Sequence, residues 1–156
     1  MDYLNQLLSQ YQPQKKKIRA FISFDFDNDE QLRNALNAQS KNENSPFYFE
    51  DWSVKDSFPQ GTWKSDVKTK IKQCDFVIII IGKNAHKCSG VLEEIKIANE
   101  ERLPSFGIYD QNSIYRRYDG STYIYVPEGL GTRHFTWTWP NLTSAINNLS
   151  NYYPQV

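Results

Sequence analysis

Cysteine is scarce in this sequence: Cys74 and Cys88 are the only two among 156 residues. That excludes a disulfide-stapled secreted scaffold and makes a reducing cytoplasm the expected compartment. Histidine is as sparse. His86 and His134 stand alone and far apart, so a zinc site of three or four His and Cys ligands is not expected, nor any other metal. No excess of charge exists either, since 18 Lys+Arg balance 18 Asp+Glu. Nucleic-acid binding by bulk charge and a polybasic membrane anchor are therefore excluded as partners. The longest apolar run, Phe76–Ile81, is too short to cross a bilayer, and Met1–Gln14 lacks the pattern of a signal peptide. Repeats and low-complexity tracts are absent. Aromatic residues, by contrast, are abundant, at 15%, well above what a disordered chain carries. The length suits one domain with a proper core. The expected division is an N-terminal helix and lead-in over 1–16, then a domain over 17–156.

Hydrophobic spacing gives the order of elements. Tyr3, Leu4, Leu7, Leu8 and Tyr11 predict a short amphipathic helix over Asp2–Tyr11. Ile18–Phe24 reads as a first strand and Phe47–Trp52 as a second. Between them Leu32, Ala35 and Leu36 set a helical face, with Asn28 as the expected N-cap. Trp63, Val67, Ile71 and Cys74 mark a second helix. Asp75–Gly82 (DFVIIIIG) is a β-branched run without alternation, the mark of a central parallel strand covered on both faces. A third helix over Val91–Arg102 and a strand over Leu103–Tyr109 follow. The segment 110–133 is too long for an ordinary connection, and Asp119-Gly120 predicts a hairpin inside it. His134–Trp139 alternates like a late edge strand. Pro140 then opens a last helix at its first position, with Leu142, Ala145, Ile146 and Leu149 buried. Strands alternating with helices predict an α/β fold with a mostly parallel sheet of about five strands. Ligands of such sheets bind at the carboxyl ends of the strands, where strand order reverses. The residues after Phe24, Trp52 and Gly82 are the ones to inspect.

Several residues there bear chemistry. The first loop, Asp25-Phe26-Asp27-Asn28-Asp29, is acidic and lacks the glycines of a dinucleotide or P-loop site. Its aspartates either complement the following helix dipole or hold Mg²⁺ as in receiver domains. The central strand ends in Ile80-Ile81-Gly82 without an acid, which disfavours phosphoacceptor chemistry. On the third helix, Val91, Leu92, Ile95 and Ala98 share an apolar arc. Glu94 lies on its border and looks toward the cleft; Glu93 lies on the polar side. Cys88-Ser89 has no readable histidine partner and reads as loop structure. Trp52 follows a strand end at the expected cleft, where its ring either packs or stacks on a base or pyridine ring.

Taken together, IRAFISFDFDND, FYFEDWSVKDSF, WKSDVKTKIKQCDFVIIIIGKNAH and CSGVLEEIKIANEERLPSFGIY resemble, in order over Lys17–Asp110, the bacterial TIR-like proteins of the Thoeris defence type. The resemblance implies a flavodoxin-like three-layer fold. Catalytic members cleave NAD⁺ at the nicotinamide–ribose bond, with no cofactor beyond that substrate. Thoeris members make a cyclic or otherwise modified ADP-ribose signal that activates a partner effector. The family's helix-start pattern, close to Ser-x-Trp-Val-x-x-Glu-Ile, meets Ser89-Gly90-Val91-Leu92-Glu93-Glu94-Ile95 here. Glu94 matches the catalytic glutamate and Ser89 the serine. Gly90 replaces the tryptophan, and the spacing is one residue short. Phe24 and Asp25 match the loop after the first strand. Asp51, Trp52 and Ser53 match the loop after the second, which in TIR domains lines the site and mediates self-association. In that loop Lys55, Asp56 and Phe58 set a charged pair around one aromatic.

The implied chemistry is self-consistent. Nicotinamide leaves a pyridinium as a neutral group, so little acid catalysis is needed, and the transition state is oxocarbenium-like. One carboxylate near the ribose stabilises that charge. Two rival functions fit the same sequence. One is a non-catalytic scaffold signalling by self-assembly, which Gly90 favours. The other is a nucleoside or nucleotide N-glycosidase of deoxyribosyltransferase type, which also uses a helix-borne glutamate.

Overall fold

A computed structural model describes residues 3–10 (backbone alone for 7–10), 17–49 and 62–155. Helix α1 spans Tyr3–Gln10. Strand β1 (Ile18–Ser23) leads to α2 (Glu30–Ser40), and the short β2 (Phe47–Tyr48) comes next. Helix α3 (Trp63–Lys72), β3 (Phe76–Ile80), α4 (Ser89–Glu100) and β4 (Ser105–Tyr109) follow. A small antiparallel hairpin, β5 (Tyr115–Arg116) with β6 (Thr122–Tyr123), precedes β7 (His134–Thr136) and α5 (Trp139–Asn147).

Five strands form one parallel sheet in the order β2-β1-β3-β4-β7. The expected α/β architecture is thus observed. The unalternating run of β3 has a simple cause. Phe76, Ile78 and Ile80 enter one core with Leu36 of α2 and Leu142, Ala145 and Ile146 of α5. Val77, Ile79 and Ile81 enter the other with Val67 and Ile71 of α3 and Val91, Ile95 and Ala98 of α4. Each strand residue is covered whichever way it points, so none needs to be polar.

Local differences from the sequence reading have physical reasons. The N-cap of α2 is Asp29, not Asn28. Asn28 instead sends its Nδ2 to Asp25 Oδ2 at 2.7 Å, closing the turn before the helix. In α5 the cap is Thr138, whose hydroxyl accepts from the Asn141 N–H at 3.1 Å. Pro140 therefore sits one place inside the first turn, where its missing N–H is still harmless. Helix α4 starts two residues earlier than its apolar spacing shows, because its first two residues, the exposed Ser89 and the side-chain-less Gly90, carry no apolar signal. In the long 110–133 segment the hairpin forms as expected, with Gly120 at φ 88 supplying the left-handed turn residue. The second strand ends at Tyr48, short of its expected span, with Phe49 no longer strand; the rest of the expected span, 50–52, lies outside the described residues.

Candidate active site

Strand order fixes where a ligand would sit. The chain runs from β1 to β2 on one side, then returns to place β3 on the other. The crevice outside the carboxyl ends of β1 and β3 is the switch point. Ser23 closes β1 there and is fully buried. Its Oγ donates to Glu94 Oε1 at 3.0 Å. Glu94 reaches it because Val91, Ile95 and Ala98 hold α4 against the sheet, turning its neighbouring border inward. Burial pushes the Glu94 carboxyl up to about 8, and the Ser23 hydrogen bond offsets this only in part. Glu93 faces the other way, with Oε1 3.8 Å from Lys64 Nζ on α3.

A second carboxyl lies over the end of β3. Asp29 is buried, and its side chain fills the space where a Cβ on Gly82 would stand. Its Oδ2 has no hydrogen-bond partner among the described residues. Burial first, then the charges of Asp25 and Asp110, raise it to about 6. Asp25 is spent on its own loop, where Oδ1 accepts from the Asp27 N–H at 3.1 Å and Oδ2 from Asn28. Among the described residues, no group of three or more His, Cys, Asp or Glu side chains is placed to hold a metal ion.

The rim is built from helix starts and a loop. Cys88 precedes α4 half-buried; burial raises its thiol pKa, and the charges of Asp25 and Glu94 add to that effect. Ser89, the first residue of α4, is exposed. Trp63 opens α3 at the same edge, its Cζ2 3.8 Å from where a Cβ on Gly90 would be. The indole from α3 thus stands beside Gly90 at a distance that a Cβ there would meet as an ordinary contact. The β5–β6 hairpin leans on the neighbouring loop: Tyr125 stacks on His86 at 4.4 Å, and Tyr115 Oη donates to Lys83 O at 3.5 Å.

Of the residues singled out in sequence, Glu94 reaches the crevice and Asp25 borders it. Phe24 turns into the α2–α5 core and packs on Phe26 at 4.5 Å. Asp51, Trp52 and Ser53 lie outside the described residues. Ser23 escaped sequence reasoning, while Asp29 entered it only as one of the loop's aspartates and Trp63 only as a helix marker. Trp63 carried a signal, since a helix that precedes a parallel strand begins at the edge where the strands end.

A doubly covered parallel sheet with a helix-borne glutamate at its switch point defines an α/β domain of flavodoxin-like type. The profile of "Thoeris protein ThsB, TIR-like domain" matches residues 21–114, and the chain belongs to that family. Among solved structures, the TIR domains of the activated Roq1 resistosome directly recognizing the pathogen effector XopQ are similar at TM-score 0.45 and 16% identity, covering 61% of this chain. This chain spans 58% of that one. A prokaryotic SEFIR domain is similar at TM-score 0.49 and 16% identity, over 87% of this chain and 92% of the other. No curated protein matches significantly. No helix among the described residues is long and apolar enough to cross a membrane.

Proposed function

We propose that this TIR-like domain cleaves NAD⁺ at the nicotinamide–ribose bond. The observation that supports this best is the Ser23-held carboxyl of Glu94 at the switch point. In the free site that carboxyl is protonated at neutral pH, given its pKa of about 8. Entry of the nicotinamide pyridinium places a positive charge beside it, which favours the ionised form. Proton release thus accompanies substrate binding. The C1′–N bond then breaks with its electron pair leaving on neutral nicotinamide, and the carboxylate faces the developing oxocarbenium charge. Ser23 positions that carboxylate through its hydroxyl. Water at C1′ gives ADP-ribose and one proton. A nucleophile of the same molecule gives a cyclic product where the site excludes water. The product serves as a nucleotide signal to a downstream effector in antiphage defence, in the cytoplasm.

Incubation of the pure protein with NAD⁺, and separately with nucleosides and deoxynucleosides, followed by chromatography, tests the reading. Nicotinamide released from NAD⁺ alone is the expected result. Free base from nucleosides would assign the N-glycosidase chemistry instead. No product at any protein concentration would leave the self-assembling scaffold, which the tryptophan-to-glycine departure at Gly90 favours.

A further inference from the structure

A cavity of about 470 Å³ opens at the opposite edge of the sheet, beside the amino ends of β4 and β7 and the last turn of α4. Its size is in the range that holds a small molecule. Arg102, Arg133, Gly131, Thr132, Leu130 and Pro154 contribute to its wall.

Arg102 is in an unusual conformation. At φ 56 it is the one non-glycine residue with positive φ among the described residues. Its N–H donates to Asn99 O at 3.1 Å and the next N–H, of Leu103, to Ala98 O at 3.0 Å. This is the helix-ending turn in which glycine is the favoured residue, and a side chain there is strained. The Arg102 guanidinium is exposed and has neither an ion pair nor a hydrogen bond among the described residues. Arg133 is buried. It donates to Ser105 O at 3.0 Å, Tyr152 O at 3.3 Å, Asn99 Oδ1 at 3.1 Å and Gly129 O at 2.7 Å, and also to Ser105 Oγ. All these acceptors are neutral, so among the described residues no carboxylate pairs with its charge. Between Gly129 (φ 99) and Arg133 the chain turns again through Gly131 (φ 58). The N–H groups of Gly131 and Thr132 donate to no acceptor among the described residues. Successive open amides in such a turn form an anion-binding concavity. Glu100 is the single carboxylate on the described lining. The negative end of α4 accounts for one cation nearby. It does not account for a strained, unpartnered arginine, a second buried one and two open amides around one cavity.

We propose that this cavity binds a phosphate oxyanion, free or carried on a small molecule, on the Gly131 and Thr132 amides and the Arg102 guanidinium, in the field of Arg133. The site is independent of the Glu94 chemistry.

The test is an amide-resolved NMR titration of the full chain with inorganic phosphate and with ribose 5-phosphate, at constant ionic strength against chloride. Saturable shifts of the Gly131 and Thr132 amides are expected at concentrations up to about 10 mM. Arg102→Gly is expected to weaken binding about tenfold while melting no lower than the parent, because glycine suits the left-handed turn. Tighter binding of ribose 5-phosphate would assign a phosphorylated small molecule, and equal binding the free anion. Absence of saturable shifts at those amides with both probes would overturn the proposal. So would an affinity unchanged in Arg102→Gly.

Discussion

At the scale of single residues, the account rests on two carboxyls with different surroundings. Glu94 is held by one hydroxyl in a desolvated place, and its folded pKa of about 8 stands above the ordinary value of 4.5. A raised acid favours the folded state when protonated, so that contribution is complete below pH 4.5 and is lost as pH rises through about 8. Glu94→Gln should therefore be more stable than the parent at pH 9, by on the order of 2 kcal/mol, and the gain should shrink toward pH 5. Thermal melts across that range check it, and an equal difference at both ends would contradict it. If the ionised carboxylate is the working form, kcat/KM for NAD⁺ should rise with pH up to about 8 and then level. Asp29 differs in being packed on Gly82. Gly82→Ala should drive a methyl into that carboxyl and cost about 1–3 kcal/mol. A urea titration reads this, and an unchanged midpoint would mean that Asp29 swings aside freely.

At the scale of elements, the strands were legible because burial leaves a plain trace. Val77 and Ile78 belong to opposite cores, and no polar alternation survives between them. The hairpin was legible through Asp119-Gly120, and α5 through its periodic Leu142, Ala145 and Ile146. Cap positions were not, because Asn28, Asp29 and Thr138 are all good caps by composition and only the loop's hydrogen bonds choose among them. Glu94 was legible as a border residue of an apolar arc. Its partner Ser23 was not, since a buried serine at a strand end looks like any other strand residue. Trp63 was hidden by its own periodicity, which is that of a core position. For α5, Thr138→Ala removes the hydroxyl that holds the Asn141 N–H, and about 1 kcal/mol of stability should go with it. Calorimetry measures that loss. No loss would mean that Pro140 alone fixes the start of the helix.

At the scale of the whole molecule, the stretch 50–61 lies outside the described residues. The family resemblance assigns that stretch to self-association. Zero net charge removes the long-range repulsion that would oppose it. Activity per molecule should accordingly rise with protein concentration, and Phe58→Ala or Lys55→Glu should lower it without altering the carboxylate. Specific activity over a dilution series, with mass by light scattering, reads this. Constant specific activity from a strict monomer would show that one chain completes the site.

The central claim is that Glu94 cleaves NAD⁺ from the switch point of this sheet. Its most direct test is the rate of nicotinamide release from NAD⁺, measured by chromatography at pH 8 for the parent, Glu94→Gln and Glu93→Gln. The account predicts release by the parent, a fall of about 100-fold or more in Glu94→Gln with the fold intact, and most of the activity kept by Glu93→Gln, whose carboxyl faces Lys64. Release by Glu94→Gln at the parent's rate would contradict it.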